Sequence, residues 1–173
     1  KFGSIDNSEG GNTNRTNITA KFTKQWKGGW QTSDQFYFTN YRFNLYSNFT
    51  FFLIDSTNGD EINQRERRDI YGYTGTVSKN FSPGTINANT EFGWGLRYDE
   101  VANIELNHVV KRKFLNSLQQ GSIQELNGFL YSNSNIELSN KFTIIAGLRY
   151  DFFRFGYKSF SSNTAVFKNQ QRG

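Results

Sequence analysis

The chain has no cysteine and no methionine, and only one proline among its 173 residues. Without cysteine it can form neither a disulfide nor a thiolate site for zinc or an iron–sulfur cluster. It also has no run of about 18 apolar residues, the length that a membrane-spanning helix needs. These absences exclude cysteine chemistry and a helical membrane protein.

Positive charge is present, but it is neither strong nor concentrated. The net charge is +5, and lysine and arginine are dispersed along the chain, so no nucleic-acid partner is expected. The first residues, KFGSIDNSEGGNTNRT, do not contain the apolar core of a signal peptide. A length of 173 residues is sufficient for one structural unit, and we expect no second domain.

Aromatic residues are abundant although the apolar content is low. Rings make up 17% of the chain, with 18 phenylalanines and nine tyrosines, whereas all hydrophobic residues together make up 35%. A packed globular core draws on more aliphatic side chains than this. A β-barrel in an outer membrane needs only one apolar face per strand, aromatic girdles at both interfaces and a polar lumen. The composition favours the barrel.

Side chains alternate between apolar and polar along several segments, as in β-strands with one dry face. The clearest case is NKFTIIAGLRYDFFRF at 140–155, where Phe142 and Leu148 share one face. In the second segment the odd positions, among them Tyr37 and Phe43, form the predicted apolar face. The predicted fold is all-β, an antiparallel transmembrane β-barrel segment of about six strands. The strands are predicted near 13–26, 35–54, 70–81, 87–106, 123–138 and 142–157.

The predicted connections alternate in length. Links after the first, third and fifth strands are short. The link after the second strand, at 55–68, and the link that contains Lys111 are long and charged. Outer-membrane barrels have short periplasmic turns and long extracellular loops, so the long links are expected outside the cell. The tail after Ser159 is rich in serine, asparagine and glutamine and is expected to be a loop.

Two segments resemble strands of a known family. Residues 121–155 have the pattern of a hairpin in which an E…G.Y strand leads through a turn into an AGLRYD strand. The first part of this pattern consists of Glu125, Gly128 and Tyr131. The pentapeptide GLRYD occurs at 95–99 and again at 147–151. In these features the chain resembles the barrel of TonB-dependent outer-membrane receptors.

The resemblance implies a 22-stranded barrel in the outer membrane of a Gram-negative bacterium, filled by a plug domain. Such receptors take up scarce nutrients, for instance ferric chelates in iron uptake, when the TonB complex acts on the plug region. The implied partners are the TonB complex, a small nutrient ligand and outer-membrane lipid. We recognise no plug domain within residues 1–173, which are therefore expected to be a segment of the barrel, with the TonB complex acting through a region absent from this sequence.

Charged residues on the polar side of the later strands are the first candidates for a functional site. The resemblance implies that they line the lumen and face the plug. These residues are Glu91, Arg97, Asp99, Glu125, Arg149 and Asp151. An alternative interpretation is that Arg97 with Asp99, and Arg149 with Asp151, form ion-pair ladders between neighbouring strands near the rim.

Basic residues of the long links are the second candidates, in this case for ligand binding. Arginine favours bidentate contacts with anions, so these residues could attract an anionic ferric chelate or the phosphate groups of lipopolysaccharide. The candidates are Arg65, Arg67, Arg68, Lys111 and Arg112. Charge runs in loops are more often simply solvated, which is the alternative for all five.

The large rings and the one histidine do not indicate a further site. The rings suit interfacial girdles better than carbohydrate stacking. They are Trp26, Trp30, Tyr37, Phe38, Trp94, Tyr98 and Tyr150. His108 has Glu105 nearby but lacks a flanking serine or aspartate motif. No catalytic residue, metal site or cofactor is predicted, and the chain is not expected to be an enzyme.

Three other functions are compatible with the same pattern. The first is a small outer-membrane barrel of about eight strands with an adhesion or structural role and no energised transport. The second is a barrel enzyme that uses His108, and the third is a soluble, ligand-binding β-protein. The predicted function remains TonB-dependent uptake of a nutrient across the outer membrane.

Overall fold

Six long β-strands make up the part of the chain that the computed structural model describes, residues 6–84 and 86–160. The strands are β1 (Gly10–Gln25), β2 (Trp30–Ser47), β3 (Ile62–Phe81), β4 (Asn87–Val110), β5 (Lys113–Ser139) and β6 (Phe142–Ser159). They form one antiparallel sheet in chain order. The predicted all-β fold is confirmed, whereas the parts of the 1–173 segment at 1–5, 85 and 161–173, including most of the predicted tail, lie outside the described residues.

The sheet is open within the described residues. β1 pairs only with β2, and β6 pairs only with β5. In the ranges 6–84 and 86–160, no helix has the length and apolarity needed to cross a membrane. Each outer strand thus presents one edge whose backbone groups have no partner strand in the described sheet.

The two faces of the sheet differ in chemistry because the register keeps similar residues in line. One row across five strands consists of Ile18, Phe38, Tyr71, Tyr98 and Leu126. We call the side of this row the apolar face. A row on the opposite side consists of Gln25, Gln31, Ser78, Glu91 and Asn133. We call that side the polar face.

No second layer formed by residues 6–84 and 86–160 packs on the apolar face. Among the described residues, only Val101 and Val109 are buried hydrophobic side chains. By contrast, Phe22 is 63% exposed and Leu148 is 79% exposed. Soluble monomers rarely leave so much contiguous apolar surface in water. The sheet therefore needs an apolar medium or an apolar partner against this face.

On the polar face, aromatic rings fill the space above glycines of neighbouring strands. A Cβ atom at Gly95 would lie 2.5 Å from Cε1 of Phe129, and one at Gly72 would overlap the ring of Tyr37. Both pairs are directly opposite in the register. Glycine is needed at these two positions because any side chain would occupy the volume of the ring.

The second strand ends earlier than predicted. It covers Trp30–Ser47 instead of 35–54, and the next residues fold into a compact link at 48–61. In this link Phe51 has a left-handed φ of 56°, and its carbonyl accepts a 2.6 Å hydrogen bond from the Asp60 N–H. The predicted end is wrong because apolar residues also alternate with other residues in the link, although the link pairs with no strand.

The predicted apolar face of the second strand is also wrong. The even positions, such as Phe36 and Phe38, lie on the apolar face, and the odd positions lie on the polar face. Tyr37 belongs to the polar face, where its ring covers Gly72. Aromatic residues therefore occupy both sides of this strand, so the sequence pattern alone does not show which side is the apolar face.

The long link predicted after the fourth strand is absent. β4 and β5 meet at the two-residue turn of Lys111 and Arg112, whose φ angles are 48° and 65°. Two left-handed residues are typical of a type I′ hairpin turn. β3 likewise begins at Ile62 instead of 70. Alternation disappears in these extensions because polar side chains occupy both of their faces, so the strands were indistinguishable from charged loops.

Candidate functional site

The six charged residues predicted to line a lumen all lie on the polar face. They are Glu91, Arg97 and Asp99 on β4, Glu125 on β5, and Arg149 and Asp151 on β6. All six have odd numbers, and the register pairs odd positions of these three strands with one another. The sheet thus brings residues that are far apart in sequence onto one surface.

Asp99 is the most buried carboxylate of this set, at 2% exposure. Arg97 on the same strand donates to both of its oxygens, from Nε and from Nη2, at 2.7 Å each. Arg68 of β3 approaches Asp99 Oδ2 to 3.8 Å. A buried carboxylate requires charged or hydrogen-bonding partners, and the two guanidinium groups supply them.

The second copy of GLRYD repeats the same bidentate pair. Arg149 donates from Nε and Nη2 to Asp151, at 2.8 Å each, and its guanidinium carbon lies 4.2 Å from the centre of the Phe129 ring. An arginine and an aspartate two residues apart share a face of a strand, so both copies pair internally. The copies form no ladder with each other, because β5 lies between β4 and β6.

The two glutamates have different surroundings. The hydroxyl of Tyr131 donates to Glu91 Oε1 at 2.6 Å. Glu125 lies directly opposite Asp99 in the register, where the nearby Arg97 offsets the repulsion between two carboxylates. The polar face therefore presents charged groups that neighbouring side chains hold in place, an arrangement suited to contact with water or with a polar partner.

Three arginines that the sequence places in a loop lie instead within β3. Successive residues of a strand point to opposite sides, so Arg65 and Arg67 lie on the side of the apolar face and Arg68 lies on the polar face. Arg65 approaches Glu105 to 3.7 Å, and Arg67 approaches Asp69 to 3.9 Å. The predicted loop is wrong because this end of β3 carries charge on both sides.

Arg112 connects the β4–β5 turn to the start of the first strand. Its Nε donates to the Ser8 carbonyl at 2.6 Å, and its Nη2 donates to the Glu9 carbonyl at 3.0 Å. Its backbone N–H donates to the Glu61 carboxylate at 3.2 Å. Arg112 is thus engaged in structural contacts, and with Lys111 in the turn and three arginines in β3 the five basic candidates do not form one cluster.

Two aspartates near the long link accept several hydrogen bonds. The Ser8 side chain, followed by the Asn48 amide, lowers the pKa of Asp6 to about 2. The backbone N–H of Asn58 lowers the pKa of Asp55 below its usual value. Both carboxylates therefore fix the conformation of the chain at this end of the sheet.

His108 and Glu105 make separate structural contacts. His108 Nε2 lies 2.6 Å from the carbonyl oxygen of Gly59 and so ties the 48–61 link to β4. Glu105 approaches Arg65 and accepts a hydrogen bond from the neighbouring strand residue Asn107. Within residues 6–84 and 86–160, no group of three or more histidines, cysteines, aspartates and glutamates could hold a metal ion.

Sequence reasoning missed Arg42. The register of β2 and β3 sets it directly opposite Arg67, and both residues line one polar recess. A single arginine in the middle of a predicted strand gives no signal of a site. Only the pairing between the strands shows that two guanidinium groups are neighbours.

The described fold is that of part of a β-barrel, a continuous antiparallel sheet with two chemically distinct faces. Among solved structures, it is similar to the ferric citrate transporter FecA in its unliganded form, with a TM-score of 0.70 and 11% sequence identity. The likeness covers 86% of this chain but only 22% of the transporter chain. At this identity the likeness shows the fold alone. No protein-family model matches the chain, and no curated protein does.

Proposed function

We propose that this chain is a membrane-embedded barrel segment of a TonB-dependent outer-membrane receptor that takes up a scarce nutrient. The observation that carries the proposal is a single sheet with an uncovered apolar face and a charged polar face. The likeness in fold to a ferric citrate transporter supports it and favours a ferric chelate as the nutrient. The polar face would line the lumen and the apolar face would lie against lipid.

The apolar face has the exposure expected of a surface against lipid. Phe22 and Leu148 remain largely exposed in the isolated sheet. Trp26 and Trp30 flank the link between β1 and β2, which is the position of an interfacial girdle. Lipid removes such side chains from water without a second protein layer, so a sheet without its own core is stable there.

The polar face suits a wet interior. The exposed pair Arg149–Asp151 remains favourable next to water, because its ions lose little hydration. The buried Asp99 has Arg97 and Arg68 as partners. In the receptor this surface would contact a plug region on which the TonB complex acts. The proposed activity is binding and transport without bond-making chemistry, in line with the contact of His108 with the Gly59 carbonyl.

The two open edges require further strands in a membrane. An unpaired backbone N–H or C=O group in hydrocarbon is costly, so lipid-embedded sheets close into barrels. β1 and β6 would therefore pair with strands beyond the six described ones. The end that carries the 48–61 link and the β4–β5 turn would lie outside the cell, because long loops of such barrels are extracellular.

Two measurements on the full-length protein test this function. Purified from outer membranes in detergent, the protein should migrate differently on gels before and after heating, because a folded barrel binds less detergent than an unfolded chain. Cells should accumulate a ferric chelate through it only when the TonB complex is intact. If the protein could be extracted from the membrane without detergent, it would not be embedded there. If cells without TonB took up the chelate at an unchanged rate, the transport would not be energised by TonB.

A further inference from the structure

A polar recess with a volume of about 780 Å³ lies over the first four strands. It opens on the side of the apolar face, because Arg42 and Arg67 have the same parity as Phe38 and Tyr71 on their strands. Its lining contains two carboxylates as well as basic and amide side chains, and one of them, Glu105, lies 3.7 Å from Arg65. The charged and amide residues of the lining are Asn12, Asn14, Asn40, Arg42, Asn44, Arg65, Glu66, Arg67, Asn103 and Glu105. The recess is thus rich in cationic and amide hydrogen-bond donors.

The positive charge of this recess is only partly compensated. Arg42 lies opposite Arg67, and within the described ranges the side chain of Arg42 makes no hydrogen bond or ion pair. Arg67 approaches Asp69 only to 3.9 Å with 57% of its own side chain exposed, and such a pair contributes little. Like charges directly across a strand pair repel each other. An anion between the two guanidinium groups would offset this repulsion.

An apolar recess of about 510 Å³ lies next to the polar one on the same face. Phe36, Phe38 and Tyr71 line it, and the row of Asn40 and Asp69 separates it from the two arginines. A cationic recess adjoining an apolar one matches the head group and the acyl chain of an anionic lipid. A small soluble anion would fill only the cationic part.

We propose that the two recesses bind one phosphorylated lipid of the outer leaflet, with a phosphate group between Arg42 and Arg67 and an acyl chain against Phe38. Arginine is suited to this role because it makes bidentate, charge-assisted hydrogen bonds to phosphate. The inference rests on the membrane placement proposed above. The site lies on the face opposite the charged pairs of the polar face, so a bound lipid would leave the proposed lumen free.

Binding of lipid A by the full-length protein in detergent micelles tests the site. The probe is bisphosphorylated lipid A, and the dephosphorylated form of the same lipid is the reference. The double variant Arg42→Gln/Arg67→Gln should bind the bisphosphorylated lipid at least about tenfold more weakly, since each charge-assisted contact to phosphate is strong. Arg15→Gln is the matched control, because it removes one positive charge from the polar face beside Tyr41.

Three results would overturn the proposal. The first is that the double variant binds bisphosphorylated lipid A with unchanged affinity, and the second is that Arg15→Gln loses as much affinity as the double variant. The third is that millimolar inorganic phosphate displaces the lipid, which would indicate a site for soluble anions. Should the double variant fail to fold, Arg42→Gln alone must still weaken binding, because it breaks no ion pair within the described residues. Heat-modifiable migration of each variant shows whether membrane embedding persists, so failure of the lipid site is distinguishable from failure of the receptor proposal.

Discussion

Replacing Gly95 by alanine tests whether the packing of rings over glycines stabilises the sheet. The new Cβ atom would lie 2.5 Å from Cε1 and 2.6 Å from Cζ of Phe129. Ordinary contact begins at 3.4 Å, so the ring has to move by roughly 0.9 Å. It would also disturb Arg149, whose guanidinium carbon lies 4.2 Å from the ring centre. Overpacking of this kind costs about 1–3 kcal/mol.

Urea unfolding of the full-length protein in detergent, followed by tryptophan fluorescence, measures this cost. Gly147→Ala, at the same position of the second GLRYD copy, is the control, since its Cβ would lie 3.3 Å from the flexible side chain of Asn133. Its effect should stay within about 0.5 kcal/mol. In a Phe129→Ala background, Gly95→Ala should cost much less, because the ring is absent and only the 3.2 Å contact with Cγ2 of Thr74 remains. An undiminished cost in that background would refute the packing argument.

Two further predictions concern carboxylates. Asp99→Asn should lower the free energy of unfolding by about 1–3 kcal/mol, because it removes the charge of a buried carboxylate that two guanidinium groups contact. Asp151→Asn, in a more exposed pair, should cost less than about 1 kcal/mol. Equal costs in urea unfolding would contradict the role of burial. The pKa of Asp6 is lowered from 3.8 to about 2, so its contribution to stability is present above pH 3.8 and is lost as the pH falls through 2. The difference in thermal midpoint between the wild type and Asp6→Asn should therefore shrink over that window, and a constant difference would argue against the contacts of this carboxylate.

Alternation in the sequence predicted strands wherever one face is apolar. The sixth strand, predicted at 142–157, is Phe142–Ser159 in the structure. The same signal failed near 62–69 and 113–122, where the strands carry polar side chains on both sides. It also failed at 48–54, where apolar residues of a tight link imitate a strand. An apolar–polar period of two arises only when the two faces of a strand differ in polarity. It therefore predicts no strand in a segment whose two faces are equally polar.

The repeated GLRYD motif predicted the same kind of strand twice, and both copies place their arginine and aspartate on the polar face. The sequence could not predict which side chains of neighbouring strands contact these residues. The burial of Asp99 beside Arg68, and the meeting of Arg42 with Arg67, depend on the register between strands. Register follows from turn geometry and ring packing, neither of which is visible in a single strand.

The membrane placement of the apolar face can be measured directly, since the 173 residues contain no cysteine to interfere with single spin labels. Labels at Leu96 and Leu130, on the apolar face, should collide mainly with oxygen dissolved in lipid. Labels at Thr74 and Asn127, on the polar face, should collide mainly with a water-soluble nickel chelate. If all four labels in the full-length protein in bilayers met the nickel chelate equally, the sheet would not lie against lipid.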